Sequence, residues 1–178
     1  MEHIDQNLFE WIFGAVHRSD VLDALGVFFA LYFPYILIAA FIILVFGKND
    51  WRMRIFVFGH AVLTVIISRG IITEGIRFFY SRPRPPEILD IDPLILKSGH
   101  AFPSGHMAFY FALAMVVWYT NRRWGHWYFG LVALMGVARV FVGVHWPLDI
   151  VGGMAIAAGS AILIYEIIKK YRPALLED

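Results

Sequence analysis

Five apolar stretches dominate this chain, and each approaches the length that a helix needs to cross a lipid bilayer. A hydrocarbon layer of about 30 Å requires roughly 20 helical residues. The third and fourth stretches reach that length only with flanking residues, and a sixth, Leu8–Phe13, is short enough to favour a helix lying in the membrane interface. The five long stretches are Val21–Phe46, Ile55–Ile76, Ala101–Thr120, Trp127–Val144 and Trp146–Ile168.

Composition supports the membrane interpretation. Hydrophobic residues make up 60% of the chain and charged residues 16%, whereas about a quarter of the residues of a soluble domain are charged. We therefore predict an all-α, polytopic membrane bundle of about five transmembrane helices plus an N-terminal interfacial helix, as one domain over residues 1–178. The net charge of +1 gives no reason to expect a nucleic-acid partner. Without cysteine, thiolate catalysis and thiolate metal sites are excluded.

Basic residues in the connectors predict the orientation. They follow the first, third and fifth stretches, so an alternating path places them all on one side, which the positive-inside rule makes cytoplasmic. The loop 77–101 and the turn Val144–Pro147 then lie on the outer side. The basic residues are Lys48, Arg52, Arg54, Arg122, Arg123, Lys169, Lys170 and Arg172.

Ionisable side chains nevertheless collect at the predicted outer ends of the helices. An arginine at mid-membrane costs roughly 2.5–3.5 kcal/mol on insertion scales, so such groups usually mark a functional site. A bound phosphate would account for so many arginines on the side that is normally arginine-poor. The collected residues are Arg69, Glu74, Arg77, Arg82, Arg84, His106, Arg139, His145 and Asp149.

Three segments carry the candidate chemistry: residues 77–85, residues 102–106 and residues 139–149. Together they resemble the type-2 phosphatidic acid phosphatase family, whose motifs read K-x6-R-P, P-S-G-H and S-R-x5-H-x3-D. The resemblance covers residues 77–149, in the family's order and spacing. Arg77 stands where the family usually has lysine and Ala138 where it has serine. We expect these two departures to alter phosphate affinity rather than abolish activity.

The residues themselves support the same chemistry. His145 and Asp149 are four residues apart and share one helical face if the fifth helix has begun there, so the carboxylate can fix the imidazole tautomer and leave the other ring nitrogen free to attack. Ser104 and Gly105 open an apolar helix, whose free N–H groups suit an anion. Each pattern also has an ordinary structural explanation: a capped helix, a capping aspartate, or arginines reaching lipid headgroups. The last fits Arg82 and Lys97 but not Arg139.

The patterns and the resemblance together predict the site. The predicted catalytic residues are His145 as nucleophile, His106 as acid and then base, and Asp149 as the partner of His145. No metal or cofactor is expected, because the arginines replace the magnesium of many phosphoryl-transfer sites. We expect His60 to be packed or hydrogen-bonded, Ser98–His100 to form a loop, and Gly152, Gly153 and Gly159 to allow close helix packing. The predicted phosphate-binding residues are Arg77, Arg84, Ser104, Gly105 and Arg139.

The resemblance implies a lipid phosphatase that acts through a phosphohistidine at the outer face of a bacterial inner (plasma) membrane. Its partners would be the bilayer and a lipid substrate, first undecaprenyl diphosphate, then phosphatidylglycerophosphate or phosphatidic acid. A lipid phosphotransferase would use the same residues and stays an alternative, as does a lipid-binding scaffold or transporter that does not need the histidines. Soluble vanadate-dependent haloperoxidases have similar motifs, but the five apolar stretches argue against that class.

Overall fold

A computed structural model describes residues 2–47 and 49–173, and the regular structure within those ranges is entirely helical. The all-α prediction is therefore confirmed, while Lys48 of the basic connectors lies outside the described residues. The helices are α1 (Glu2–Phe13), α2 (Asp20–Phe46), α3 (Trp51–Phe79), α4 (Pro85–Ile88), α5 (Gly105–Thr120), α6 (Arg122–Phe141) and α7 (Pro147–Tyr171).

Helices α2, α3 and α7 are long and apolar enough to cross a membrane, and α5 is apolar but shorter. Three of the five expected spans are therefore supported by length and apolar character, and α5 is a shorter apolar helix. Helix α6 has 20 residues, but it begins with Arg122 and Arg123 and carries Arg139 in its last turn, which lowers its apolar character. The long helices expose large apolar side chains such as Ile43, at 69%, and Ile55, at 61%, as lipid-facing helices do.

Two of the long helices contain π-helical turns, at Phe28–Tyr32 in α2 and Ile66–Ile72 in α3. Pro34 follows the first turn and has no N–H to donate to the carbonyl of Ala30, four residues earlier. In the second turn the Ser68 hydroxyl donates to the Ala108 carbonyl at 3.0 Å, joining α3 to α5. Such turns are frequent at functional sites.

Helix α5 is the centre of the bundle and packs against α2, α3, α6 and α7. Its buried side chains face in every direction around the helix, as expected for a helix that is apolar all round. Near the C-terminal end of α5, His60 of α3 is 1% exposed. Nε2 of His60 lies 3.3 Å from the Ala161 carbonyl, so the prediction of a packed, hydrogen-bonded histidine is confirmed.

Helix α1 carries apolar side chains on two faces. One face is buried on the bundle, and the other is exposed. Phe9 is fully buried, with its ring 5.1 Å from that of Trp146 just before α7. Ile4 and Trp11, by contrast, are 73% and 79% exposed. The helix therefore lies across the end of the bundle at which α5 and α7 begin.

Close packing of α5 on α7 depends on Gly153. A Cβ atom there would lie 2.5 Å from the Ser104 carbonyl oxygen and 2.8 Å from the Met107 Cβ. Gly152 is similarly close to the Phe102 ring, whereas Gly159 has no atom within 4 Å of the position of a Cβ. The prediction of close helix packing is thus confirmed for Gly153 and wrong for Gly159, while Gly152 allows close approach of Phe102 in the loop before α5.

We predict that Gly153→Ala destabilises the protein by about 1–3 kcal/mol, because the new methyl group meets main chain that cannot move aside easily. Thermal unfolding in detergent measures the effect. The control is Gly159→Ala, which makes the same change on the same helix in open space. Equal unfolding temperatures for the two variants would show that the close contact of α5 with α7 at Gly153 does not determine the stability of the protein.

Candidate active site

A cavity of about 490 Å³ opens at the end of the bundle where α5 and α7 begin. It brings together parts of all three sequence segments singled out above, together with the loop before α5. Four cationic side chains and two histidines line it: Arg69, Arg77, Arg84, Lys97, His106 and His145. The geometry therefore joins residues from α3, from two loops and from α5 in one pocket.

His145 lies in the turn before α7, with 1% of its surface exposed. Its Nδ1 is 3.3 Å from Oδ2 of Asp149, so donation to the carboxylate leaves Nε2 as the free nitrogen. The same Oδ2 accepts the Trp146 backbone N–H at 2.8 Å. Burial, followed by the charges of Arg139 and Arg84, lowers the pKa of His145 well below its ordinary value. The ring is therefore neutral at neutral pH.

His106 is in the first turn of α5 and stacks on Tyr110, with ring centroids 6.2 Å apart. Gly105, directly before it, lets Arg69 lie close to the start of α5, because a Cβ there would lie 2.6 Å from Nε of Arg69 and displace that side chain. The backbone N–H of Ser104 donates to the Asp149 carbonyl at 3.0 Å. The start of α5 is thereby fixed against the start of α7, and both histidines face one cavity.

Three predicted phosphate-binding arginines also hold main-chain segments in place. Arg77 Nη2 donates to the Pro103 carbonyl at 2.9 Å, and Arg139 Nη1 donates to the Ala30 carbonyl at 3.0 Å. Arg84 donates through Nε, Nη1 and Nη2 to the carbonyls of Gly99, Val144 and His100. A guanidinium has five N–H donors, so two remain on Arg84 for a ligand.

Three buried donors of the predicted site have no partner among the described residues: Nε of Arg77, which lines the cavity, and the Ser104 hydroxyl and Nε of Arg139, which do not line it. A buried polar group without a hydrogen bond costs roughly 1–3 kcal/mol, so native proteins rarely leave several in one place. All three belong to residues that the sequence predicts as phosphate ligands. Phosphate oxygens would supply the acceptors that these groups lack.

The assignment of Arg82 to lipid headgroups is wrong. Its Nη1 donates to Oδ1 of Asp149 at 2.9 Å and its Nη2 donates to Oδ2 of Asp5 at 2.6 Å, with 17% of the side chain exposed. The sequence does carry a signal, since Arg82 lies two residues before Arg84 in the first motif. Its acidic partner on α1, however, is 77 residues away.

The assignment of Lys97 to lipid headgroups is also wrong, because this residue lines the cavity. It lies in the loop before α5, and so do Ser98, Gly99 and His100, which are non-helical as predicted and also line the pocket. Partial desolvation, with the nearby charges of Arg139 and Arg84, lowers the pKa of Lys97 to about 8. Lys97 is thus a cation of the site that can lose its charge in the mildly basic range.

Residues 58–173 match the family model described as the PAP2 superfamily. The chain is 29% identical to undecaprenyl-diphosphatase BcrC of Bacillus subtilis, over 96% of this chain and 87% of that protein. It is 26% identical to lipid A 4'-phosphatase of Porphyromonas gingivalis, over 92% of this chain and 72% of that protein. The crystal structure of Aquifex aeolicus LpxE matches with a TM-score of 0.75 and 26% identity, covering 92% of this chain and 95% of that one.

We predict that the affinity of the detergent-solubilised protein for inorganic phosphate falls as pH rises through about 8, because Lys97 loses its proton there. Isothermal titration at pH 7.5 and 9 measures the change. In Lys97→Arg the fall should disappear, since a guanidinium stays charged. The ionisation of phosphate itself changes equally in both experiments. An equal fall in phosphate affinity for the wild-type protein and the variant would therefore rule out Lys97 as the cause.

Proposed function

The chain belongs to the PAP2 superfamily, a family of lipid phosphatases, and we propose that it converts undecaprenyl diphosphate to undecaprenyl phosphate and inorganic phosphate. One observation carries the proposal: two histidines, one of them bonded to a buried carboxylate, share a cavity with a group of cationic side chains. Similarity to undecaprenyl-diphosphatase BcrC over almost the whole chain supports the choice of lipid.

In the proposed reaction, Nε2 of His145 attacks the terminal phosphorus in line with the bridging oxygen. A P–N bond forms, the P–O bond to the lipid phosphate breaks, and Asp149 stabilises the imidazolium. Protonated His106 donates its proton to the departing oxygen, then removes a proton from the water that hydrolyses the phosphohistidine. Inorganic phosphate leaves and both rings return to their initial states.

The proposed phosphate ligands act on the charge that develops during this reaction. Arg77, Arg84, Arg139, the Ser104 hydroxyl and the N–H of Gly105 would hold the equatorial oxygens. Preorganised donors of this kind stabilise the transition state most, since they need no reorganisation during the reaction. The unpartnered buried donors of Ser104, Arg77 and Arg139 support this assignment.

Lys97 favours a diphosphate over a monophosphate. The cavity already holds Arg69, Arg77 and Arg84, and Lys97 adds a further cation from the loop at its edge. A diphosphate brings a second phosphoryl group and more negative charge, which these extra cations would balance. Lipid A phosphates are the second candidate, because one of the similar proteins is lipid A 4'-phosphatase.

An apolar groove of about 280 Å³ supports a lipid substrate. It runs between α2, α3 and α5, and two of its lining residues, Ile38 and Phe109, also line the site cavity. Val62 and Ile42 at its edge are 39% and 47% exposed, so the groove opens sideways towards the surrounding lipid. A polyprenyl chain could lie there while its diphosphate occupies the cavity.

We further propose that α2, α3, α5, α6 and α7 all cross the membrane and that α1 lies in the outer interface. The chain then alternates sides, with the cavity at the end opposite Arg52, Arg122 and Lys169. The positive-inside rule places those basic residues in the cytoplasm. The site would therefore face the outer side of a bacterial plasma membrane, where the phosphate is released.

Phosphate release from a lipid panel tests the function directly. The panel is undecaprenyl diphosphate, lipid A, phosphatidylglycerophosphate and phosphatidic acid in detergent, with inorganic phosphate as the readout. We expect undecaprenyl diphosphate to give the highest kcat/KM, and His145→Ala to lower phosphate release from it by at least about 10³-fold. Chelator should leave the rate unchanged, because the arginines carry the role of a metal ion.

The other outcomes separate the alternatives. A higher kcat/KM on lipid A would replace the substrate, and transfer of phosphate to a second lipid without release would replace hydrolysis. A phosphoenzyme that still forms in His145→Ala would disprove the nucleophile assignment. Absence of phosphate release from every lipid would leave the binding-protein alternative.

We predict that Val62→Trp lowers kcat/KM for the long-chain lipid about tenfold, because the indole fills the groove with bulk that excludes the chain. Activity on a short-chain, water-soluble phosphate ester should be unchanged. Leu63→Trp is the matched control: Leu63 is 44% exposed on the same helix but does not line the groove. Equal losses in both variants, or on both substrates, would argue against the groove as the tail site.

A further inference from the structure

Asp5 of the N-terminal helix is a buried carboxylate close to the active site. It is 2% exposed, and both of its oxygens are bonded. Oδ1 accepts the backbone N–H of Leu148 at 2.8 Å, and Oδ2 accepts Nη2 of Arg82 at 2.6 Å. A buried charge is expensive unless it is paired and hydrogen-bonded, so Asp5 belongs to a specific arrangement.

Arg82 links this carboxylate to the one that holds His145. Its two Nη atoms bond Asp5 and Asp149, and its guanidinium lies 5.3 Å from the centroid of the Trp146 ring. Burial opposes the charge on Arg82, but the two carboxylates more than offset it and raise the pKa of Arg82. A planar fork can bridge two carboxylates in this way, whereas a lysine ammonium cannot do so with the same geometry.

The bridge constrains the rotation of the Asp149 carboxyl group. Arg82 holds Oδ1, while Oδ2 accepts from both the Trp146 N–H and Nδ1 of His145. With Oδ1 fixed, Oδ2 stays directed at the imidazole. Both Nη atoms of Arg82 are bonded to carboxylates, so it acts from behind Asp149 rather than on the phosphate.

We propose that Asp5 and Arg82 are positioning residues for the reaction: Asp5 holds Arg82 against Asp149, and this fixes the carboxylate that orients His145. The inference rests on the proposed role of His145. Asp5 lies outside residues 58–173, so the family match does not include it. The N-terminal helix then contributes a positioning residue to the active site and also packs over the end of the bundle where the site lies.

The variant Asp5→Asn tests the link while preserving the fold. The amide oxygen can still accept the Leu148 N–H, but the charge facing Arg82 is lost. We expect kcat to fall by about 10- to 100-fold, with KM within about twofold, because the phosphate ligands are untouched. Glu10→Gln is the matched control, since it removes an exposed carboxylate from the same helix and should leave kcat unchanged.

A double-mutant cycle with Arg82→Gln separates positioning from a merely structural role. If Asp5 acts through Arg82, adding Asp5→Asn to Arg82→Gln lowers kcat no further. Additive losses, or an unchanged kcat in Asp5→Asn, would overturn the proposal. If Asp5→Asn fails to fold in thermal unfolding, Arg82→Lys replaces it: lost kcat at an unchanged Tm supports positioning, and retained kcat contradicts it.

The cycle is measured on whichever panel lipid the wild-type protein hydrolyses best. A wrong choice of lipid therefore leaves the positioning test intact. A wild-type protein without phosphatase activity would instead refute the proposed function.

Discussion

The structure of the site depends on the carboxylate and carbonyl of Asp149. The side chain accepts hydrogen bonds from His145, Trp146 and Arg82, and the backbone carbonyl accepts the N–H of Ser104. One residue thus connects the turn before α7, the loop after α3 and the start of α5. A carboxylate at this depth is stable only because its charge is paired with Arg82 and its oxygens are bonded.

Concentrated positive charge is the second constraint. Arg77, Arg84 and Arg139 are each bonded to main-chain carbonyls, and Arg77 also pairs with Glu74 at 3.2 Å. Like charges held in one place repel each other, and Nε of Arg77 and Nε of Arg139 have no partner among the described residues, so the arrangement is costly without an anion. The bundle supplies the rigidity needed to hold it, through glycine contacts such as that of Gly153 with Ser104.

The sequence predicted what local pattern and motif spacing can encode. The all-helical class and the convergence of the three segments on one cavity follow from the length of the apolar stretches and from the family motifs. The bond between Asp5 and Arg82 joins residues 77 positions apart, and no local pattern reveals such a pairing. The position of Lys97 in the cavity is hidden from the sequence for a related reason. A single lysine in a loop has the same sequence pattern whether it faces lipid or a cavity, and only the path of the loop in the fold determines which.

In the proposed reaction, the cations of the site also set the order of proton transfer. Burial and the surrounding positive charges lower the pKa of His145 and keep it neutral, as the proposed nucleophile requires. In that reaction His106, which faces the same cavity, must carry a proton to act as the acid, and this adds one more positive charge beside the cations that line the cavity. A phosphoryl dianion entering between the two rings cancels much of that field, and so favours protonation of His106 once substrate is bound. His145, held by Asp149 behind it, keeps its free nitrogen directed at phosphorus. In the proposed mechanism the substrate's own charge therefore prepares the acid, so that His106 is protonated when there is a leaving group to receive the proton.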